Sequence, residues 1–361
     1  MRLYVGTYTR PAAHVADARG RGIHVLDMDP ATGSLVPRQE VGGIDDPTYL
    51  CVSPDGRNLH AVWEVATWPE ALVSSYAIDP DTGELGYLGV QGTRGSIACH
   101  VVMDSRARTA FVANYGSGTV AAFPTRPDGS LAEASSVDQH EGSGPDGTRQ
   151  QGPHAHCIVL APDERFAFSA DLGTDEVIGY RIDHQAHALI RDSRLAMTPG
   201  SGPRQLVFSP SGRHAWVTGE LDATMSALAY DTGSGTFSLV GSWPMLPDDY
   251  QGARSGADVE VHPSGRFVYG SNRGHDSIAM FKVDEASGRL DPIGHRSSEG
   301  RTPRDFVITP DGRFLLVGNQ DSDTIVVMPI DQATGELGPT AFVATVPTPA
   351  CLRFGPGRPR G

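Results

Sequence analysis

Two short phrases alternate along this chain, and together they leave little choice of fold. The first is "SPDGR" at 53–57, which returns as "APDER" at 161, "SPSGR" at 209, "HPSGR" at 262 and "TPDGR" at 309, with a worn copy, "DSRAR", at 104. A brief apolar run precedes each copy ("YLCV", "CIVL", "DFVI") and another follows it ("LHAV", "FAFSA", "LLVG"). Pro-Asp-Gly between two β-rich runs is turn chemistry: Pro presets φ, and Gly accepts the left-handed conformation. The second phrase is "DPATGSL" ending at Leu35, repeated in "DPDTGEL", "RPDGSL", "HQAHAL", "TGSGTF", "EASGRL" and "QATGEL". Each of these turns also follows an apolar run. One unit is therefore strand, turn, strand, short loop, strand, turn, strand, with a period of about 50 residues, the spacing of a four-stranded propeller blade.

The second turn occurs seven times and the first only six, and the chain ends account for the difference. "CLRFGPGRP" at 351–359 reads as an inner strand with its turn, and "LYVGTYT" near the N-terminus reads as the next strand of the same blade. Pairing the two closes the ring and removes an open sheet edge. The expectation is all-β: one seven-bladed β-propeller domain over 1–361, with four-stranded blades and the ring closed by the terminal strands. Stacked solenoid arrays are the alternative.

Aligning the blades on the turn proline places a ring of residues at one mouth of the central channel. Just past the second strands stand Thr7-Tyr8, Trp63-Glu64, Asn114-Tyr115, Asp171-Leu172, Gly219-Glu220, Asn272-Arg273 and Asn319-Gln320. Opening the inner strands stand Thr48-Tyr49, Cys99-His100, His156-Cys157, Arg204-Gln205, Ala257-Asp258, Arg304-Asp305 and Ala350-Cys351. Polar strand ends are ordinary. Three arginines and two histidines in one ring are less so, because the protein has 43 acidic against 29 basic residues and a net charge of −14. That charge argues against nucleic acid and anionic membrane surfaces as partners. A cationic pocket in such a molecule suits a small anionic substrate. Long polar segments at 126–153 and 243–256 run over the same face, where loops on a rigid scaffold gather binding residues.

No run of 18 apolar residues and no signal-like N-terminus occurs, and the four cysteines form no C-x-x-C pair, so a cytoplasmic monomer or homodimer is expected. In "GPHAH" His154 and His156 stand two residues apart, directly ahead of an apolar run. No third ligand lies near them in sequence, so neither a metal nor a cofactor is expected. His154 fits a place behind the pocket wall as well as one on it.

The phrases "YVGTYT", "HEGSGP…RQQGPHAH", "SGPR", "GELD", "SNRGHDSIA", "TPRDF" and "GNQDSD" together resemble the seven-bladed lactonase family, over the whole length of the chain. That family includes propeller-type 6-phosphogluconolactonases and the fungal carboxy-cis,cis-muconate lactonizing enzyme. The resemblance implies His156, Arg204, Glu220 and Arg273 as the catalytic set, and all four belong to the ring derived from repeat register. His100, Asn114, Tyr115, Asn272, Arg304 and Gln320, with His154, are expected to contact substrate. Gly219 stands where the family has Asn, and Trp63 also departs from its pattern.

Hydrolysis of a lactone needs an activated water, a stabilised oxyanion and a protonated leaving alkoxide. A carboxylate or imidazole supplies the base, Glu220 or His156, and arginines supply fixed donors. Muconate-type cyclisation of a dicarboxylate, in which a carboxylate adds to an alkene and an acid protonates carbon, uses related parts and is the alternative reaction. No G-x-S-x-G, P-loop or G-x-G-x-x-G helix start is present. A non-catalytic propeller that binds a partner is the other class, and it would spread its contact residues over outer loops.

Overall fold

In the computed structural model, which describes residues 1–15 and 17–355, seven four-stranded antiparallel sheets form a propeller. The strands Tyr49–Val52, Asn58–Trp63, Leu72–Ile78 and Leu85–Gly92 make one representative blade, in the order the two phrases require. Innermost strands are mostly buried because they pack between blades. Outermost strands alternate buried and exposed residues, since one face meets water. Ring closure is as expected: Pro349–Phe354 pairs with Arg2–Thr7, with Leu3 opposite Phe354 and Val5 opposite Leu352. The turn expected after Phe354 lies outside the described residues beyond Gly355.

The first turn depends on one backbone conformation. Its last position has φ of 71° at Gly56, 69° at Gly212, 74° at Gly265 and 73° at Gly312. The worn copies adopt the same geometry without glycine, at Ala107 (φ 52°) and Glu164 (φ 53°), because the sheet on either side imposes the turn. Glu164 partly offsets that strain by accepting hydrogen bonds from the backbone N–H (2.6 Å) and hydroxyl (2.8 Å) of Ser105 in the neighbouring blade.

The long segments are shorter insertions than the sequence suggested. Ser136–Gln139 is the fourth strand of its blade, and Thr236–Pro244 completes another, so only the parts after them are free loops. A hairpin turn at Arg126–Ser130 precedes Ser136–Gln139, which left both features hidden inside one polar run.

Candidate active site

Six of the seven inner strands are irregular near their starts, Tyr49–Val52 being the regular one. Ala155 pairs with Asp171 and Cys157 with Ala170, which leaves His156 as an extra residue with no partner. Arg304 is skipped in the same way between Pro303 and Asp305, and Cys99 between Ala98 and His100. Between Pro203 and Leu206 the ladder shifts around Arg204. Such bulges bend the strand and re-aim a side chain. They turn His156, Arg204 and Arg304 toward the mouth instead of into a blade interface.

Glu220 is the centre of the constellation. Its carboxylate is buried, 5% exposed. Oε2 accepts from Arg204 Nε at 3.0 Å and lies 2.9 Å from Arg273 Nη2, and Oε1 accepts from Arg149 Nη2 at 2.6 Å. His156 Nε2 lies 3.8 Å from Oε2, within reach of its charge but beyond a hydrogen bond. Burial pushes the Glu220 pKa up, but Arg273, Arg204, His156 and Arg149 outweigh it and hold the carboxyl well below the usual range. Burial and then Arg204 push the His156 imidazole well below 6.5, so it is neutral at neutral pH. Arg204 and Arg273 are also anchored to main-chain carbonyls, of Ala257 at 2.8 Å and Gly256 at 2.9 Å. Burial lowers the Arg273 pKa to about 10, which leaves it charged, and its Nε is buried with no partner among the described residues. The four residues expected to be catalytic are thus together at one mouth.

A second cluster completes the mouth. Arg304 Nη2 lies 3.4 Å from both carboxylate oxygens of Glu64, and its guanidinium sits 5.0 Å from the ring centre of Tyr8. The Tyr8 hydroxyl donates to Glu64 at 3.1 Å and meets His14 Nε2 at 2.9 Å. Gln320 Nε2 donates to the His14 carbonyl at 3.4 Å, and Gln320 Oε1 is buried without a partner among the described residues. Tyr115 stacks on His154 (4.4 Å between ring centres, 13° between planes) and stands edge-on to His156 at 5.4 Å. His154 Nδ1 pairs with the Tyr115 carbonyl at 2.8 Å, and its own N–H donates to Asp171, so it supports the wall that Tyr115 and His156 form.

Three expected substrate contacts have other surroundings. Asn114 Nδ2 donates to the Thr93 carbonyl and to the Thr119 hydroxyl, and Asn272 Nδ2 donates to the Met245 carbonyl and the Ser277 hydroxyl. Asn319 repeats the arrangement with Ser298 and Thr324, so these amides pin the end of one strand to a neighbouring loop. At Gly219 an added Cβ would lie 2.2 Å from Asp222 Oδ1, so a carboxylate fills the space an Asn side chain would need. His100 lies deeper: it packs against Tyr49 (4.1 Å) and lines a channel cavity of about 300 Å³ with Gln205, Asp258, Glu260 and Arg353. None of the four catalytic candidates lines that cavity. Among the described residues, no three His, Cys, Asp or Glu side chains converge as a metal cage.

Arg149, Glu64, Tyr8 and His14 were not among the expected site residues. Glu64 and Tyr8 stood in the repeat register, and Tyr8 also within the phrase "YVGTYT", but neither was expected to act on substrate. Arg149 opens the phrase "RQQGPHAH", and only the fold of its loop brings it to Glu220. That loop is tied at both ends by Asp171, which accepts from His154 N–H at 2.8 Å and pairs with His140 Nδ1 at 2.6 Å. Gln150 donates to the Leu172 carbonyl and holds the intervening turn.

The comparisons with known proteins agree with this architecture. The family model "Lactonase, 7-bladed beta-propeller" matches residues 2–354. A 6-phosphogluconolactonase of Bacillus subtilis is 34% identical over 303 residues, 84% of this chain and 83% of the relative. One of Formosa agariphila is 30% identical over 310 residues, covering 84% of this chain and 85% of that relative. Among solved structures, a periplasmic gluconolactonase of Pseudomonas aeruginosa superposes with a TM-score of 0.90 at 34% identity, covering 98% of each chain.

Proposed function

This chain belongs to the seven-bladed β-propeller lactonase family, and on that premise we propose that it opens a small anionic sugar or phosphosugar lactone at the Glu220 mouth. Relatives named for 6-phosphogluconolactone and gluconolactone support lactone hydrolysis as the reaction. The observation that carries the substrate class is charge. Four guanidinium groups, of Arg149, Arg204, Arg273 and Arg304, face two carboxylates, Glu64 and Glu220, with His156 neutral. The surplus of positive charge sits in a molecule of net charge −14, so it draws an anion to this mouth in particular.

His156 is assigned as general base and Glu220 as its electrostatic partner. Both oxygens of Glu220 are already engaged by arginines, and its low pKa makes it a weak proton acceptor. A water attacks the lactone carbonyl carbon and passes its proton to the neutral His156 ring. The carbonyl oxygen becomes an oxyanion held by guanidinium donors, with Arg204 best anchored for that role. Glu220 stabilises the transient imidazolium. Collapse breaks the bond between the carbonyl carbon and the ring oxygen, and His156 returns the proton to that oxygen, giving the open hydroxy acid. The four cysteines are free thiols, which fits a cytoplasmic enzyme.

The test is a panel of purified substrates: a six-membered sugar lactone, its 6-phosphorylated form, and a carboxymuconate. Acid release from the lactones above the spontaneous rate, with no change in the muconate, is expected. Muconate turnover with inert lactones would overturn the assignment.

A further inference from the structure

We propose that Arg149 reads the substrate's phosphate, trading its bond to Glu220 for one to the phosphate when substrate binds. The proposal rests on the lactonase reading above and names the residue that sets its substrate preference. Three observations carry it. First, Arg149 differs from the other arginines of the mouth in access: its side chain is 42% exposed, against 5% for Arg204, 15% for Arg273 and 8% for Arg304. Second, it is held less. Arg204 and Arg273 are each anchored to a main-chain carbonyl as well as to Glu220, and Arg304 is enclosed by Glu64 and Tyr8. Among the described residues the Arg149 side chain bonds only Glu220 at 2.6 Å and the Tyr115 hydroxyl at 3.3 Å, both through Nη2. The other donors of its fork have no partner among the described residues, and a guanidinium fork matches phosphate oxygens in pairs. Third, it hangs from a loop whose ends are fixed by Asp171, so the guanidinium can swing while the loop base stays in place.

The exchange has a chemical consequence. Glu220 in the free enzyme is neutralised by three guanidinium groups, those of Arg149, Arg204 and Arg273, with His156 beside it. Drawing Arg149 away leaves two, so more of the carboxylate's charge is available to stabilise the imidazolium that forms on His156. A phosphorylated lactone would then both bind better and react faster than an unphosphorylated one, because only its phosphate removes Arg149 from Glu220.

The experiment compares kcat/KM for a sugar δ-lactone and for its 6-phosphorylated form, in the wild type and in Arg149→Met and Arg149→Lys. The expected result is that the preference for the phosphorylated substrate falls at least tenfold in Arg149→Met and less in Arg149→Lys, which keeps the charge and loses the fork. Thermal melts check folding, and the Lys variant decides the matter if the Met variant is unfolded. An equal fall on both substrates would overturn the proposal and leave the lactonase reading standing, since Arg149 would then act only through Glu220. A wild type inactive on both lactones would overturn the lactonase reading and this inference with it.

Discussion

His156 is withdrawn from water and faces Arg204, Arg304 and Glu220, and the balance of these pushes its imidazole well below 6.5. A base must be unprotonated to act, so activity is lost only as pH falls through that depressed value. The acid limb of kcat/KM in the wild type is therefore expected well below pH 6.5, read from initial rates across pH; a midpoint at or above 6.5 would contradict the assignment. At this scale the sequence was informative where the repeat and a motif coincided. His156, Arg204, Glu220 and Arg273 stand at equivalent blade positions and also within recognisable phrases, and they converge. Register alone was weaker: it placed Asn114 and Asn272 in the ring correctly, but it could not show that their amides are spent on neighbouring backbone and hydroxyl groups. Arg149 was illegible for the opposite reason, because a loop obeys no repeat and its reach depends on how Asp171 ties it down.

Strand ends make the site, and strand pairing is what the turns encode. Both turn phrases mark where chain direction reverses, so the number of blades and the closure of the ring were readable from them. The bulges were not. An extra residue such as His156 between Ala155 and Cys157 leaves no compositional trace, although it decides which way the imidazole points. The asparagine pins supply the test for elements. Asn114→Ala removes two buried hydrogen bonds and leaves the Thr93 carbonyl without a donor, so it should cost about 1–3 kcal/mol of stability in denaturant unfolding. KM of the folded variant should stay near the wild-type value; a raised KM with unchanged stability would return Asn114 to the substrate.

Across the whole molecule, the channel below the mouth sets how stability depends on pH. Burial and then Asp305 push Asp258 up to about 7, and burial and then Asp258 push Glu260 up to about 8, with Arg353 acting against both. A carboxyl whose folded pKa is raised holds its proton longer in the native state. Its stabilising effect is complete below the unfolded value and is lost as pH rises through the folded one. Buried histidines work in the other direction: among them, burial pushes His60 down to about 4, and His100 and His156 well below 6.5, so each favours unfolding as pH drops under 6.5. The two sets oppose each other on the acid side, and above pH 6.5 only the carboxyls remain. Stability should decline between pH 6.5 and 8, by up to about 1.4 kcal/mol per pH unit for each carboxyl involved. Glu260→Gln should flatten that decline in denaturant midpoints; an unchanged slope would show that Glu260 is ionised in the native protein throughout.

The most direct measurement is the rate of ring opening of a 6-phosphorylated sugar δ-lactone at pH 7 by the wild type and by His156→Ala, corrected for spontaneous hydrolysis. A general base contributes about 10²–10⁴-fold, so the variant's kcat should fall by that factor while its thermal melt stays cooperative. A wild-type kcat in a folded His156→Ala protein would contradict the account.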